Sequence, residues 1–145
     1  MSCTHLILNW FGDYQSLRFC ATALVVALFN LWGKKMKIAI IGSRGLHVEN
    51  LEIYLPDGVT EIVSGGARGI DTDAACFARE KSLKMTVFLP KYDRYGRGAP
   101  ILRNYQIVDY ADEVLAFWDG KSRGTKSVID YCQKQNKRVT VITVT

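Results

Sequence analysis

Residues 59–80 read VTEIVSGGARGIDTDAACFARE, and the change of period inside them decides the fold. Val59 to Val63 is a short β-branched run broken by Ser64-Gly65-Gly66, the composition of a buried strand ending in a tight turn. Beyond the turn, Ile70, Ala74, Phe77 and Ala78 fall on one face of a helix. Asp71 and Asp73 stand in its first turn, where the helix dipole favours anions. The unit recurs on both sides. Lys37 to Ile41 is an apolar strand stopped by Gly42, and Val48, Leu51 and Leu55 then predict a helix up to the turn Pro56-Asp57-Gly58. Met85 to Leu89 is a third strand, closed by Pro90 and followed by a polar loop from Lys91 to Ala99. Pro100 opens a helix expected to carry Ile101, Leu102, Tyr105 and Val108 inward. Glu113 to Trp118 is strand four, Thr125 to Gln135 a helix, and Arg138 to Val144 strand five. Five strands alternating with four helices imply parallel pairing through right-handed crossovers. The expected class is α/β, a three-layer, doubly wound, mostly parallel five-stranded sheet over residues 36–145.

The composition agrees with a soluble globular domain, at 48% hydrophobic and 23% charged residues. A net charge of +5 permits an anionic ligand without demanding nucleic acid. His5 and His47 are the only histidines, which excludes a zinc site built on several of them. Cys3, Cys20, Cys76 and Cys132 form no C-x-x-C pair and read as reduced thiols of a cytoplasmic protein. Cys76 and Cys132, among apolar neighbours on helices, are expected in the core.

Residues 1–35 differ from the rest. They carry four charges, Asp13, Arg18, Lys34 and Lys35, and Phe19 to Leu31 is apolar except for Thr22 and Asn30. The run is shorter than the roughly 20 residues of a spanning helix, and no small-x-small cleavage site follows it. Trp32-Gly33-Lys34-Lys35-Met36 must be encoded as UGG-GGN-AAR-AAR-AUG, a run of G and an A-rich spacer before a start codon. That is the form of a bacterial ribosome-binding site. Residues 1–35 are therefore expected to be an upstream translated leader, with an added apolar helix or an export or membrane segment as the alternatives. A start at Met36 would leave no membrane segment.

In doubly wound sheets ligands bind outside the carboxyl ends of the strands, near the switch in strand order. Four segments converge there: Gly42 to Gly45, Gly65 to Gly69, Pro90 to Ala99, and Trp118 to Thr125. They hold Arg44, Arg68, Lys91, Arg94, Arg97, Lys121 and Arg123, opposed only by Asp93 and Asp119, and most of the domain's glycines. Glycine turns let backbone N–H groups approach an anion, and each segment feeds a helix N-terminus. A phosphorylated ligand is the expectation. Neither G-x-G-x-x-G nor the Walker-type loop is present. Ser122 with Gly124-Thr125 reads either as a helix cap or as a phosphate grip with Asp119 near a sugar. Arg103-Asn104 reads as site or as solvated face. His47 reads as a surface or capping residue, and Phe117 as core.

Gly42-Ser43-Arg44, Val63 to Asp71, Arg103-Asn104, and Asp119-Gly120 to Gly124-Thr125 together resemble the SLOG superfamily, nearest its small YspA/YpsA-related proteins of bacteria and phages. The likeness runs from Met36 to about Val144. It implies a Rossmann-like domain that binds a nucleotide or nucleotide-derived ligand, as sensor or weak processing enzyme, often as a homo-oligomer. Its ligand-binding residues would be Gly42, Ser43, Arg44, Gly65, Gly66, Arg68, Arg103, Asn104, Asp119, Ser122, Gly124 and Thr125, with no metal and no identified cofactor. Two relatives point in different directions. LOG enzymes hydrolyse nucleoside monophosphates with a catalytic Glu in P-G-G-x-G-T-x-E-E. Here Lys126-Ser127-Val128 follows Thr125, so that Glu is missing, and Asp119 is the weak catalytic candidate, with Asp130 behind it. DprA/Smf proteins share the G-S-R, S-G-x-A-R-G-I-D and R-N elements and bind single-stranded DNA. Tyr92, Arg94, Tyr95, Arg97 and Tyr105 would supply the required basic and aromatic groove.

Overall fold

Aliphatic and β-branched side chains concentrate in five stretches, and each is a strand: β1 (Met36–Gly42), β2 (Val59–Ser64), β3 (Lys84–Val87), β4 (Glu113–Trp118) and β5 (Val139–Thr143). The computed structural model describes residues 35–144, so the expectation for residues 1–35 lies, but for Lys35, outside the described residues. Three principal helices connect the strands: α1 (Ile70–Glu80), α2 (Ala99–Tyr110) and α3 (Arg123–Lys134). The sheet order is β3-β2-β1-β4-β5, and every pairing among the described residues is parallel. The chain builds outward from β1 to β3, then returns to the other side of β1 to place β4. The order therefore reverses between β1 and β4, and this is a Rossmann-like α/β fold.

β1 and β4 are buried on both faces along their centres, which explains why they read as continuous apolar runs. Alternate residues of β1 serve opposite layers. Ala39 and Ile41 pack with Ile107 and Val108 of α2 and Val128, Ile129 and Cys132 of α3. Ile38 and Ile40 pack with Leu51 and with Ile70, Ala74 and Ala78 of α1. Phe117 of β4 is fully buried in that second layer and meets the Tyr54 ring edge-on at 5.3 Å.

Four local expectations need correction. The helix predicted from Val48 to Leu55 is only a 3-10 turn, Glu52–Tyr54. The Val48 N–H is tied to the Asp73 carboxylate at 2.9 Å and Leu51 is sunk into the core. Leu55 is extended, as a residue before proline prefers, so too few residues remain to nucleate an α-helix. Ile101 and Leu102 are exposed at 48% and 40%, not inward. The inward stripe of α2 runs through Pro100, Arg103, Asn104 and Ile107, which places 101 and 102 on other faces. Cys76 is exposed because the buried stripe of α1 is Ile70, Ala74 and Ala78, whereas Cys132 is in the core. The polar stretch after Pro90 contains a helical turn, Tyr92–Tyr95, and a 3-10 turn, Gly96–Gly98.

Candidate functional site

The switch between β1 and β4 opens a crevice, and the loops leaving β1, β2 and β4 form its walls. Gly42 ends β1 against Ile70: a Cβ there would lie 2.7 Å from the Ile70 Cβ, so only glycine lets the two elements close. The chain is then tied to β4, with Ser43 N–H donating to Phe117 O at 3.1 Å and Asp119 N–H donating to Ser43 Oγ at 3.4 Å. Ser43 is 2% exposed and works as a bolt between loops.

After β2, the Gly65-Gly66-Ala67 turn wraps a buried pair of charges. The Asp71 carboxylate accepts the Ala67 N–H at 2.9 Å, and Arg103 Nη1 of α2 donates to Gly65 O. Any side chain on Gly65 would occupy the place of the Arg103 guanidinium. Burial raises the Asp71 pKa above the ordinary 3.8, against the pull of the Ala67 N–H and the Arg103 charge. Burial, assisted by the like charge of Arg44, lowers that of Arg103 against the opposing carboxylate of Asp71. Arg103 Nε is the one buried side-chain polar atom without a hydrogen-bond partner among the described residues.

The loop after β4 is built to present the start of α3. Asp119 Oδ1 accepts the N–H groups of Ser122 at 2.7 Å and Lys121 at 2.9 Å, and these bonds hold its carboxyl below the usual 3.8. Trp118 Nε1 donates to Ser122 O at 3.1 Å. Ser122 caps α3, its Oγ accepting from the Thr125 N–H at 3.5 Å and from Thr125 Oγ1 at 3.2 Å.

These loops enclose a cavity of about 120 Å³ lined by Gly42, Arg44, Gly65, Arg103, Asn104, Ser122, Gly124 and Thr125 among the expected residues. A shallower cleft of about 700 Å³ shares Arg44, Gly65 and Arg103 with it and adds Gly66 and Arg68. Ten of the twelve expected residues thus border one depression or the other. Ser43 and Asp119 border neither. The carboxylate that does line the cavity is Asp71, which belongs to the Val63-to-Asp71 motif but is not among the expected ligand-binding residues. Its signal was its place four residues after Ala67 in a glycine-rich turn, where a short acidic side chain reaches back to a loop N–H. Leu89, Pro90 and Tyr92 also border the outer cleft, and Tyr92 is 58% exposed. Asp130 is paired with Lys126 on the surface of α3, at 2.9 Å. His47 is exposed, its Nδ1 3.1 Å from Asp73 Oδ1. Among the described residues no group of three or more His, Cys, Asp and Glu could hold a metal ion. No helix among them is long and apolar enough to cross a membrane.

No family model matches the chain, and no curated protein matches it. Among solved structures it is similar to DNA processing protein A from Helicobacter pylori, with a TM-score of 0.54 and 25% sequence identity. The match covers 77% of this chain and 66% of that one, so this chain spans just under two thirds of that protein's length. That structure is described for its single-stranded DNA binding mode.

Proposed function

We propose that the domain is a SLOG-like module that binds the phosphate of a nucleotide or nucleotide-derived ligand at the carboxyl edge of the sheet, as a sensor or a weak processing enzyme. The observation that carries the reading is the meeting of three phosphate-binding devices around one cavity. The Gly42 and Gly65 turns bring backbone to the cavity wall, closed on Ile70 and on Arg103, the Ser122-capped start of α3 offers Gly124 and Thr125, and Arg44 and Arg103 supply positive charge. The bulk of a sugar and base would extend over Arg68, Leu89 and Tyr92 in the outer cleft. Glycosidic hydrolysis needs a carboxylate beside the reacting sugar. Asp119 bonds its own loop, and Asp71, which lines the cavity, is engaged by the Ala67 N–H, so sensing is the better supported of the two roles. The reading is tested by thermal shift of the full chain with AMP, ADP, ATP, GMP, NAD, ADP-ribose, cyclic dinucleotides and a short oligonucleotide. A ligand at about 100 times its Kd adds about 2.7 kcal/mol of stability, and Arg44→Ala or Thr125→Val should abolish the shift. Silence across the panel, or shifts indifferent to both substitutions, would overturn the reading.

A second reading is favoured by the likeness to DNA processing protein A: the phosphate belongs to single-stranded DNA. The exposed rings of Tyr92 and Tyr95, with Arg94 and Arg97 between and beyond them, are suited to stacking bases and tracking a backbone. Oligonucleotide affinity should then fall steeply with salt, as condensed counterions are released. Salt-insensitive binding would exclude it.

A further inference from the structure

We propose that the groove between α2 and α3 is a second binding segment for single-stranded nucleic acid, next to the phosphate cavity; it rests on the single-stranded-DNA reading of that cavity. The groove encloses about 410 Å³ and lies on the outer surface of the two helices. Its wall is an aromatic pair contributed by both of them. The rings of Tyr105 and Tyr131 stack with centroids 4.1 Å apart and planes 24° from parallel. Tyr131 is further held by its hydroxyl, which donates to Asp109 Oδ1 at 3.2 Å. Two such rings fixed by packing present an apolar wall to which a base can add as the next member of the stack, whatever its identity.

The charges around the wall suit a polyanion. Lys126 is neutralised by Asp130, but Arg123 and Lys134 have no ion-pair partner among the described residues and stand exposed on the groove. Proximity to the cavity follows from alternation along the chain. Asn104 lines the cavity and the next residue, Tyr105, lines the groove. Ser122, Gly124 and Thr125 line the cavity, while Arg123 and Lys126 line the groove. Chain neighbours therefore border the two depressions, within the reach of successive nucleotides of one strand. A mononucleotide has no part that extends so far.

The test is fluorescence anisotropy of the full chain with labelled oligothymidylates of about 2 to about 12 nucleotides, alongside thymidine monophosphate. The groove predicts affinity that rises with length. It also predicts that Tyr131→Leu weakens the longest oligonucleotide about tenfold, the effect of one lost base stack, and that Lys134→Glu weakens it and flattens its salt dependence, with no change for thymidine monophosphate in either. Lys134→Glu alters an exposed side chain and keeps the test valid if Tyr131→Leu disturbs packing. Wild-type affinity in both variants, with binding lost in Thr125→Val, would overturn the groove and leave the cavity reading standing. Failure of the wild-type chain to bind either the monophosphate or the oligonucleotides would overturn both. A concentration-dependent dimer, dissociated by Lys134→Glu in sedimentation, would assign the groove to a second copy and overturn the proposal.

Discussion

Gly65→Ala places a methyl group on the site of the Arg103 guanidinium, the tightest contact between the β2 loop and α2. The displaced group is the far end of a flexible side chain, so the substitution expels Arg103 without forcing the backbone apart. The first consequence is loss of the charge-assisted bond from Arg103 Nη1 to Gly65 O. Such bonds contribute about 1.5–3 kcal/mol; Arg103 is half-buried and recovers some hydration, which leaves about 1–2 kcal/mol. The second is that Asp71, 7% exposed, loses the charge that opposes its desolvation. Arg103→Met removes the same bond and the same charge and should cost a similar amount. The two substitutions act on one interaction, so the double variant should be about as stable as either single one, a coupling of about 1–2 kcal/mol. Urea unfolding of the full chain by circular dichroism measures this. Near the size of this domain, 1 kcal/mol also shifts Tm by about 4 °C, so thermal scans give an independent reading. Effects that add to within about 0.5 kcal/mol would refute the coupled Gly65–Arg103–Asp71 unit.

Gly42→Ala differs in kind, because its methyl meets the Ile70 Cβ in the core at 2.7 Å and neither backbone can yield cheaply. It should destabilise by about 2–3 kcal/mol in the same unfolding assay, and a near-neutral result would refute the packing argument. Glu61 is 7% exposed; burial pushes its pKa up, but hydrogen bonds from Thr86 (2.6 Å), Lys84 (3.0 Å) and Tyr110 (2.9 Å) outweigh it and hold the group below 4.5. A depressed pKa in the folded state stabilises above 4.5 and loses that contribution as pH falls through the folded value. The stability gap between wild type and Glu61→Gln should therefore close on acidification below pH 4.5. Asp71, whose pKa is raised, acts in the opposite sense and is common to both chains, so it cancels from that gap. In a chain carrying Cys3→Ser and Cys20→Ser, maleimide should label Cys76 rapidly and leave Cys132 unreacted until denaturant is added. Cys76 is exposed, whereas burial pushes the Cys132 thiol up to about 11. Equal rates in mass spectrometry would contradict the burial of Cys132.

The sheet was legible in the sequence because β1 and β4 are buried on both faces. A strand in that position needs an unbroken apolar run, and a glycine turn ends β1 and follows β2 directly, so period and boundary appear together. The edge strand β3 was placed less well. β3 is only Lys84–Val87, and Leu89, expected inside its end, is 66% exposed. The segment from Val48 to Leu55 misled for a related reason. Three apolar residues at helical spacing also suit an irregular segment pinned to a core, and what pins it is Asp73, distant in sequence.

By itself the sequence determined the α/β class, the alternation that makes the sheet parallel, and the glycine, arginine and hydroxyl residues brought to the carboxyl edge. Those features follow from local periods and from a topological rule that needs no side-chain positions. Only the tertiary structure decided which of those residues face the cavity. It made Ser43 a buried bolt to the Asp119 N–H and set Asp71 and Arg103 against the same cavity. It also stacked Tyr105 on Tyr131 across two helices. Each outcome depends on partners up to 76 residues away in the chain, as between Ser43 and Asp119. A side chain's direction is set by the elements packed around it, and no period in the sequence encodes those distances.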